Sequence, residues 1–184
     1  GRTFLSDTSR WMDFIVGGWN MSGNGTIASG TFFTPSVSSG FDTANTNTSR
    51  SQRPDKIGNP HIAKPTIQNW FNINAYAIPG CPLSDPLCKH TAPVNVGRFG
   101  NVRPGTLVSP NLVEFDLSLM KDFHVTSKGT FQLRVTAQNA FNHPNFGVPN
   151  ATVTNGPGRA GHITSLQSAG YGGRQVDVMG RFTF

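Results

Sequence analysis

Residues 111–141 read NLVEFDLSLMKDFHVTSKGTFQLRVTAQNAF. Val113, Phe115, Leu117 and Leu119 alternate with Glu114, Asp116, Ser118 and Met120. After the polar break at Thr126, Ser127, Lys128 and Gly129, the pattern returns. Phe131, Leu133, Val135 and Ala137 fall on one side, and Gln132, Arg134, Thr136 and Gln138 on the other. A period of two is that of a pleated strand, whose successive side chains point to opposite faces. Two such runs joined by a tight polar turn containing Gly predict an antiparallel hairpin with one apolar and one strongly polar face.

Two environments satisfy that pattern. In a soluble sheet the apolar face packs inside a sandwich, and in a membrane barrel it meets lipid while the polar face lines the lumen. Strand length favours the barrel. A tilted bilayer-crossing strand needs about 9–11 residues, and these runs are that long, whereas soluble strands are usually about 5–6.

Composition points the same way. Of 184 residues, 36% are hydrophobic and 13% charged, with 21 Gly and 13 Pro. A soluble globule normally carries about a quarter charged residues. Such a chain suits alternating strands and long polar loops. No run approaches the 18 apolar residues of a transmembrane helix, and no signal peptide is visible. The first residue is Gly1 and not Met, so the chain is expected to be a mature product or a piece of something longer. The net charge of +6, from 15 Lys and Arg against 9 acids, reads as spread along the chain. No basic cluster interleaves with aromatics, so no nucleic-acid partner is expected.

Working outward, residues 13–33 contain a second alternation from Trp19, with Met21, Gly23, Gly25 and Ile27 on one face. This predicts a long strand with bends at its glycines. Trp19 at one end and Phe32 with Phe33 at the other are expected in the aromatic girdles of a barrel. Residues 35–110 are dense in turn formers, too long for a connection in a compact soluble domain and natural for an external barrel loop. Within them Trp70, Phe71, Tyr76 and Ile78 are expected to pack the loop onto itself, with a sugar platform on Trp70 and Tyr76 as the lesser reading. Residues 142–174 form a second Pro- and Gly-rich loop, with a short strand expected around 162–166. The last run, 175–184, places Val176, Val178, Gly180, Phe182 and Phe184 on one face and Gln175, Asp177, Met179, Arg181 and Thr183 on the other.

The expected architecture is therefore a single all-β region. It is an antiparallel meander of strands near 13–33, 112–123, 130–141 and 175–184, either part of a transmembrane barrel or an open sheet completed by other chains. The lipid- or partner-facing residues are Val113, Phe115, Leu117, Leu119, Phe131, Leu133, Val135, Val176, Val178 and Phe182. Glu114, Asp116, Arg134, Asp177 and Arg181 are expected to face the lumen as a cross-strand charge network. Cys81 and Cys88, in the Pro-rich CPLSDPLC, predict a local disulfide and hence an oxidising compartment. His61, His90, His124, His143 and His162 lack ligand spacing, so no metal is expected. No nucleophile, base and orienter recur at recognisable spacing, and no phosphate-binding glycine motif is present. Neither enzymatic activity nor a cofactor is expected.

A set of phrases in order along the chain carries a resemblance. GGWNMSG at 17–23, SGTFFTP at 29–35, FGNVRPGTL at 99–107, FQLRVTAQNAFNHPNFGVPN at 131–150 and RQVDVMGRFTF at 174–184 resemble the C-terminal part of TonB-dependent outer-membrane receptors. The likeness is strongest to the large Oar-like kind with a carboxypeptidase-regulatory-like domain, common in Acidobacteria. It implies a 22-stranded barrel in the outer membrane of a Gram-negative bacterium. It also implies a plug, contact with TonB through the parent protein, and insertion by the barrel-assembly machinery. Phe182 and the final Phe184 resemble the C-terminal insertion signal of such barrels, with Gly180 one place later than usual. Direction follows: the turn at 126–129 is periplasmic, and 35–110 and 142–174 are external. Four strands cannot close a barrel, since closure takes about eight. The outermost strands would expose unpaired backbone groups, so the chain must pair with the remainder of the barrel or with copies of itself. The alternatives are thus an extracellular filament or sheet built by strand addition, and a soluble sugar-binding sandwich at the cell surface.

Overall fold

A computed structural model describes residues 10–47, 50–91, 94, 96–126, 129–167 and 172–184. The first element, α1 (Arg10–Val16), is a helix of seven residues. It stops at Gly17 and Gly18, the latter at φ 71°, a left-handed conformation that glycine adopts without steric cost. The Trp19 indole N–H donates to the Ile15 carbonyl at 2.9 Å, satisfying one of the helix's last acceptors. Strand β1 (Trp19–Ala28) follows. Short strands β2 (Phe32–Phe33), β3 (Asp55–Lys56), β4 (Tyr76–Ala77) and β5 (Leu107–Val108) come next. The long strands β6 (Leu112–His124), β7 (Thr130–Gln138) and β8 (Gln175–Thr183) complete the order.

The chain divides into two compact units. The strand unit comprises the described residues of Gly1–Ala28, Val113–Asn145 and Ala169–Phe184, and the loop unit those of Ser29–Leu112 and Phe146–Ser168.

In the strand unit, β1, β6, β7 and β8 lie side by side in that order. The β6–β7 and β7–β8 pairs are antiparallel, with Leu119 opposite Val135 and Val135 opposite Val178. Strand β1 also runs against β6, because Gly18 lies by Asp122, Gly23 by Leu117 and Gly25 by Phe115. The result is an open antiparallel meander. Its apolar face has no second layer of described residues over it: Met21 is 73% exposed and Val178 68%. Both edge strands are exposed along nearly their whole length. All four strands are 9 to 13 residues long, enough to cross a bilayer at a tilt. No described helix is long and apolar enough to do so.

The loop unit is not a structureless connection. Proline and glycine interrupt it too often for long ladders, so it is tied by two-residue pairings, β2 with β5 and β3 with β4, and by isolated bridges such as Ser36–Thr152 and Val37–Gln52. A hydrophobic core has formed beneath these ties. Val37, Phe71, Ala75, Tyr76, Ile78 and Val153 are almost fully buried, with Phe33, Trp70 and Leu87 packed against them. The Phe33, Phe71 and Tyr76 ring centroids follow one another at 6.0 Å, the first pair tilted and the second edge to face.

Several boundaries differ from those read in the sequence. The strand expected at 13–33 is a helix to Val16, a strand from Trp19 to Ala28, and a separate strand at Phe32–Phe33. The cause of the second break is the Thr31 backbone, which exchanges hydrogen bonds with Ser109: its N–H donates to Ser109 Oγ and its carbonyl accepts from the Ser109 N–H, both at 2.9 Å. Phe33 accordingly packs into the loop-unit core rather than continuing a barrel strand. Strand β7 ends at Gln138 and not at 141, because Asn139 turns the chain at φ 48°. Residues 162–166 form no strand; Leu166 bridges Phe146, and His162, Ile163 and Ser165 make backbone bonds to Asn150, Ile67 and Gly147. In the 126–129 turn, residues 127 and 128 lie outside the described set; the Gly129 carbonyl accepts the Val125 and Thr126 N–H groups.

Gly25 leaves room for an aromatic ring: a Cβ there would lie 2.7 Å from Phe115 Cε1. Gly25→Val should therefore displace Phe115 and destabilise the strand unit by about 1–3 kcal/mol. Thermal unfolding in detergent measures this, and an unchanged midpoint would contradict the packing.

Candidate functional site

The register of the strand unit sorts its side chains onto two faces. On β6 the row Val113, Phe115, Leu117, Leu119 shares one side. Across the ladder, Leu117 stands opposite Ala137, Leu119 opposite Val135 and Phe123 opposite Phe131. Ala137, Val135 and Phe131 stand in turn opposite Val176, Val178 and Phe182. Leu133 lies in the same row of β7 and faces Gly180. All ten residues expected to meet lipid or a partner therefore occupy one continuous face.

That face carries two aromatic rows. At the turn end, Trp19, Phe123, Phe131 and Phe182 place an aromatic on each of the four strands, and the Phe123 and Phe131 centroids are 6.1 Å apart. Phe14 of α1 adds its ring 5.1 Å from Phe123. Beyond the strand, Phe184 lies 6.1 Å from Phe182 and is 95% exposed. At the opposite end Phe115 meets Phe141 edge to face at 5.4 Å. The eight-residue step from Phe115 to Phe123 spans roughly 26 Å along a strand, and roughly 20 Å at a tilt near 40°. This is close to the band of about 25 Å between the aromatic girdles of an outer-membrane barrel.

Lys121 was not among the residues singled out by the sequence, although the strand period places it on the apolar face. It is 3% exposed. Its ammonium donates to the Gly17 carbonyl and, at 3.3 Å, to the Asp122 carbonyl. It also lies 4.9 Å from the Phe123 ring centre and 5.7 Å from that of Trp19. Aromatic faces and carbonyl oxygens thus hold the charge at the end of an otherwise apolar row, as expected for a lysine whose stem is greasy and whose head is not. The available signal was parity: residue 121 continues the odd-numbered row.

The opposite face is polar. Glu114, Asp116, Arg134, Asp177 and Arg181 all belong to it, yet none pairs with another. The register explains why. Arg134 stands between Met120 and Met179, Arg181 opposite Gln132, and Asp177 opposite Thr136. The contacts made are neutral or singly charged: Gln132 Nε2 donates to Asp122 at 2.8 Å, and the Ser118 and Thr136 hydroxyls meet at 3.3 Å. Arg134 Nε is buried without a protein partner.

The phrase NAFNHPN at 139–145 closes the loop end of the sheet. Asn139, 1% exposed, donates through Nδ2 to the His143 and Gly172 carbonyls at 2.8 Å each. Its Oδ1 accepts the His143 N–H at 2.9 Å, and its backbone N–H donates to Asp116 at 3.0 Å. Asn142 accepts the Arg174 N–H at 3.0 Å, and Asn145 the Val113 N–H at 3.0 Å. The three asparagines thereby tie the ends of β6, β7 and β8 together. Asn139 and Asn142 also supply positive φ angles of 48° and 53°, which asparagine tolerates better than most residues.

In the loop unit, Cys81 and Cys88 are disulfide-bonded with Cα atoms 5.6 Å apart. Inside that ring sits Asp85, whose carboxylate accepts the Lys89, His90 and Thr91 N–H groups and the Thr91 hydroxyl at 2.7 to 3.0 Å. These bonds, that from His90 foremost, hold Asp85 far below the usual carboxylate range. Asp42 is likewise lowered, chiefly by the Thr46 N–H, and Asp55 by Arg98, which grips it through two bonds of 2.8 and 2.9 Å. Tyr76 is 1% exposed, and burial raises its phenol to about 12. The Trp70 indole N–H is engaged by the Val108 carbonyl at 2.8 Å. Tyr76 is thus core, so these two rings do not form an open sugar platform. Among the described residues no three His, Cys, Asp or Glu side chains are grouped as metal ligands.

Residues 1–177 match the family described as outer membrane beta barrel domain. The chain belongs to that family. A barrel-wall role and an outer-membrane location follow for this outer-membrane barrel chain. No curated protein and no solved structure matches it. Membership gives the two faces of the sheet their environments, since a barrel wall separates lipid from lumen.

Two outcomes test the loop unit of this barrel chain. Reducing Cys81–Cys88 should destabilise that unit by about 2 kcal/mol, the value for so short a ring, read as faster amide exchange in its core. Acid should act on the same unit. Asp42, Asp55 and Asp85 titrate lower when folded than when unfolded, so their contribution is complete above the ordinary carboxylate pKa of 3.8. It is lost as pH falls through the lower folded values. Trp70 fluorescence should stay constant from neutral pH to about pH 5 and change below about pH 4.

Proposed function

We propose that this chain forms part of the wall and the external loops of a TonB-dependent outer-membrane receptor in a Gram-negative bacterium. In such a protein the remaining strands close the barrel, a plug occupies it, and TonB energises uptake through the parent protein. The observation that carries the reading is the one-sided face of apolar side chains between two aromatic rows, exposed although the chain has a packed core elsewhere. Topology supports it: the segments after β1 and β7 and before β6 and β8 leave from one end of the sheet, and the short 125–129 turn lies at the other. Short turns inside and long loops outside are the rule for these barrels. Glu114, Asp116, Arg134, Asp177 and Arg181 then line the lumen, and the buried, unpartnered Arg134 Nε is an anchor for the plug or for lumen water. Phe182 and Phe184 serve recognition by the barrel-assembly machinery.

The exposed edges of β1 and β8 favour one second reading, in which copies of the chain join edge to edge in an extracellular sheet or filament.

Val135→Lys, opposite Leu119 and midway between the Phe115 and Phe123 rows, separates the two. At the bilayer midplane the lysine should cost about 2–4 kcal/mol, while Thr136→Lys on the polar face should be tolerated. Heat-modifiable mobility of the outer-membrane protein reports the folded fraction; equal insertion of both variants would sink the barrel-wall reading. Loss of energised uptake in a strain lacking TonB tests the receptor assignment.

A further inference from the structure

The net charge is not evenly distributed between the units. Residues 29–112 and 146–168 hold eight Lys and Arg against three acids, Asp42, Asp55 and Asp85, a net of +5 out of the chain's +6. Within this loop unit an open cleft of about 460 Å³ is lined by Lys56, Asn101, Val102, Arg103 and Thr106. Neither the Lys56 nor the Arg103 side chain has an ion-pair partner among the described residues. Asp55, the neighbouring acid, is already held by both Arg98 nitrogens and by the Asn101 N–H at 3.0 Å. The same network positions Asn101: its Oδ1 accepts the Lys56 N–H at 2.7 Å, which leaves its amide nitrogen as the group free to donate. The Thr106 and Tyr76 hydroxyls are buried and interact with each other, so neither is offered to the cleft.

We infer that this cleft is an anion subsite, taking a carboxylate or phosphate group between the Lys56 ammonium and the Arg103 guanidinium with Asn101 as a neutral donor. A guanidinium presents two parallel N–H groups to such an oxyanion, and an ammonium adds a mobile point charge. The surplus positive charge of the unit raises the local concentration of anions around it. The binding chemistry stands on the loop unit alone; its use as a first contact for a solute to be taken up rests on the receptor reading.

The test is a calorimetric titration of the detergent-solubilised outer-membrane protein containing this chain, with inorganic phosphate and with citrate, and vesicle flotation with phosphatidylglycerol. The variants are Lys56→Gln with Arg103→Gln, and Lys64→Gln as a control for a cation in the same unit that does not line the cleft. Both cleft side chains belong to exposed residues, and an intact Cys81–Cys88 disulfide with unchanged Trp70 fluorescence shows that each variant is folded. The double variant should bind the free anions at least about tenfold more weakly, the loss of one or more charge-assisted hydrogen bonds, while Lys64→Gln stays within about twofold. Flotation lost in the double variant, without binding of free phosphate or citrate, supports the same oxyanion borne on a lipid headgroup. Binding that is equal in all three proteins, equally weakened by Lys64→Gln, or absent from every arm overturns the subsite. The barrel reading stands or falls separately, on the insertion of Val135→Lys.

Discussion

Register is the constraint from which the strand unit follows. Because side chains alternate with a period of two, a slip of one residue between β6 and β7 would send the whole apolar row to the polar side. The β6–β7 ladder from Leu117–Ala137 to His124–Thr130 and the β7–β8 ladder from Thr130–Thr183 to Gln138–Gln175 prevent that slip. In hydrocarbon the same ladder has a second duty, since no water is present to satisfy an unpaired N–H or C=O. The two unpaired edges are therefore incomplete in the physical sense: β1 and β8 need further strands before this wall can sit in a bilayer.

The loop unit solves a different problem with different means. It lacks long ladders, and its backbone groups are satisfied by single bridges, by Asp42 and Asp85 accepting several N–H groups each, and by the Thr31–Ser109 exchange. These local bonds are individually modest. A small buried core around Phe71, Tyr76 and Val153 and the Cys81–Cys88 link make them collectively sufficient to order a Pro- and Gly-rich chain. An external loop region built this way can present fixed side chains to solvent, which a random loop cannot.

Charge follows the same division of labour. The strand unit keeps charge off its apolar face except at Lys121, where carbonyl oxygens and two aromatic rings receive it. The loop unit carries nearly all the net positive charge. Most of that surplus lies in the one segment 29–112, which holds seven Lys and Arg against three acids.

The alternation in 111–141 and 175–184 determined by itself that these are strands, which side chains share a face, and that one face is greasy, because pleat geometry depends only on local sequence. The spacing of Cys81 and Cys88 likewise announced their bond, and the aromatic cluster at 70–78 announced a packed loop. Tertiary structure alone decided the rest, where partners distant in sequence compete for the same backbone. Thr31 pairing with Ser109 ends a strand that periodicity would have continued to Phe33. The β6–β7–β8 register places Arg134, Asp177 and Arg181 opposite neutral residues and so leaves them without an ionic partner across those ladders. Lys56, Asn101, Arg103 and Thr106 share a cleft because residues 53–56 and 98–102 are tied by Asp55 to Arg98 and Asn101 and by backbone bonds from Gly100 to Arg53 and from Val102 to Pro54. Such choices depend on long-range hydrogen bonds whose ends carry no common sequence period, so no window of the chain records them.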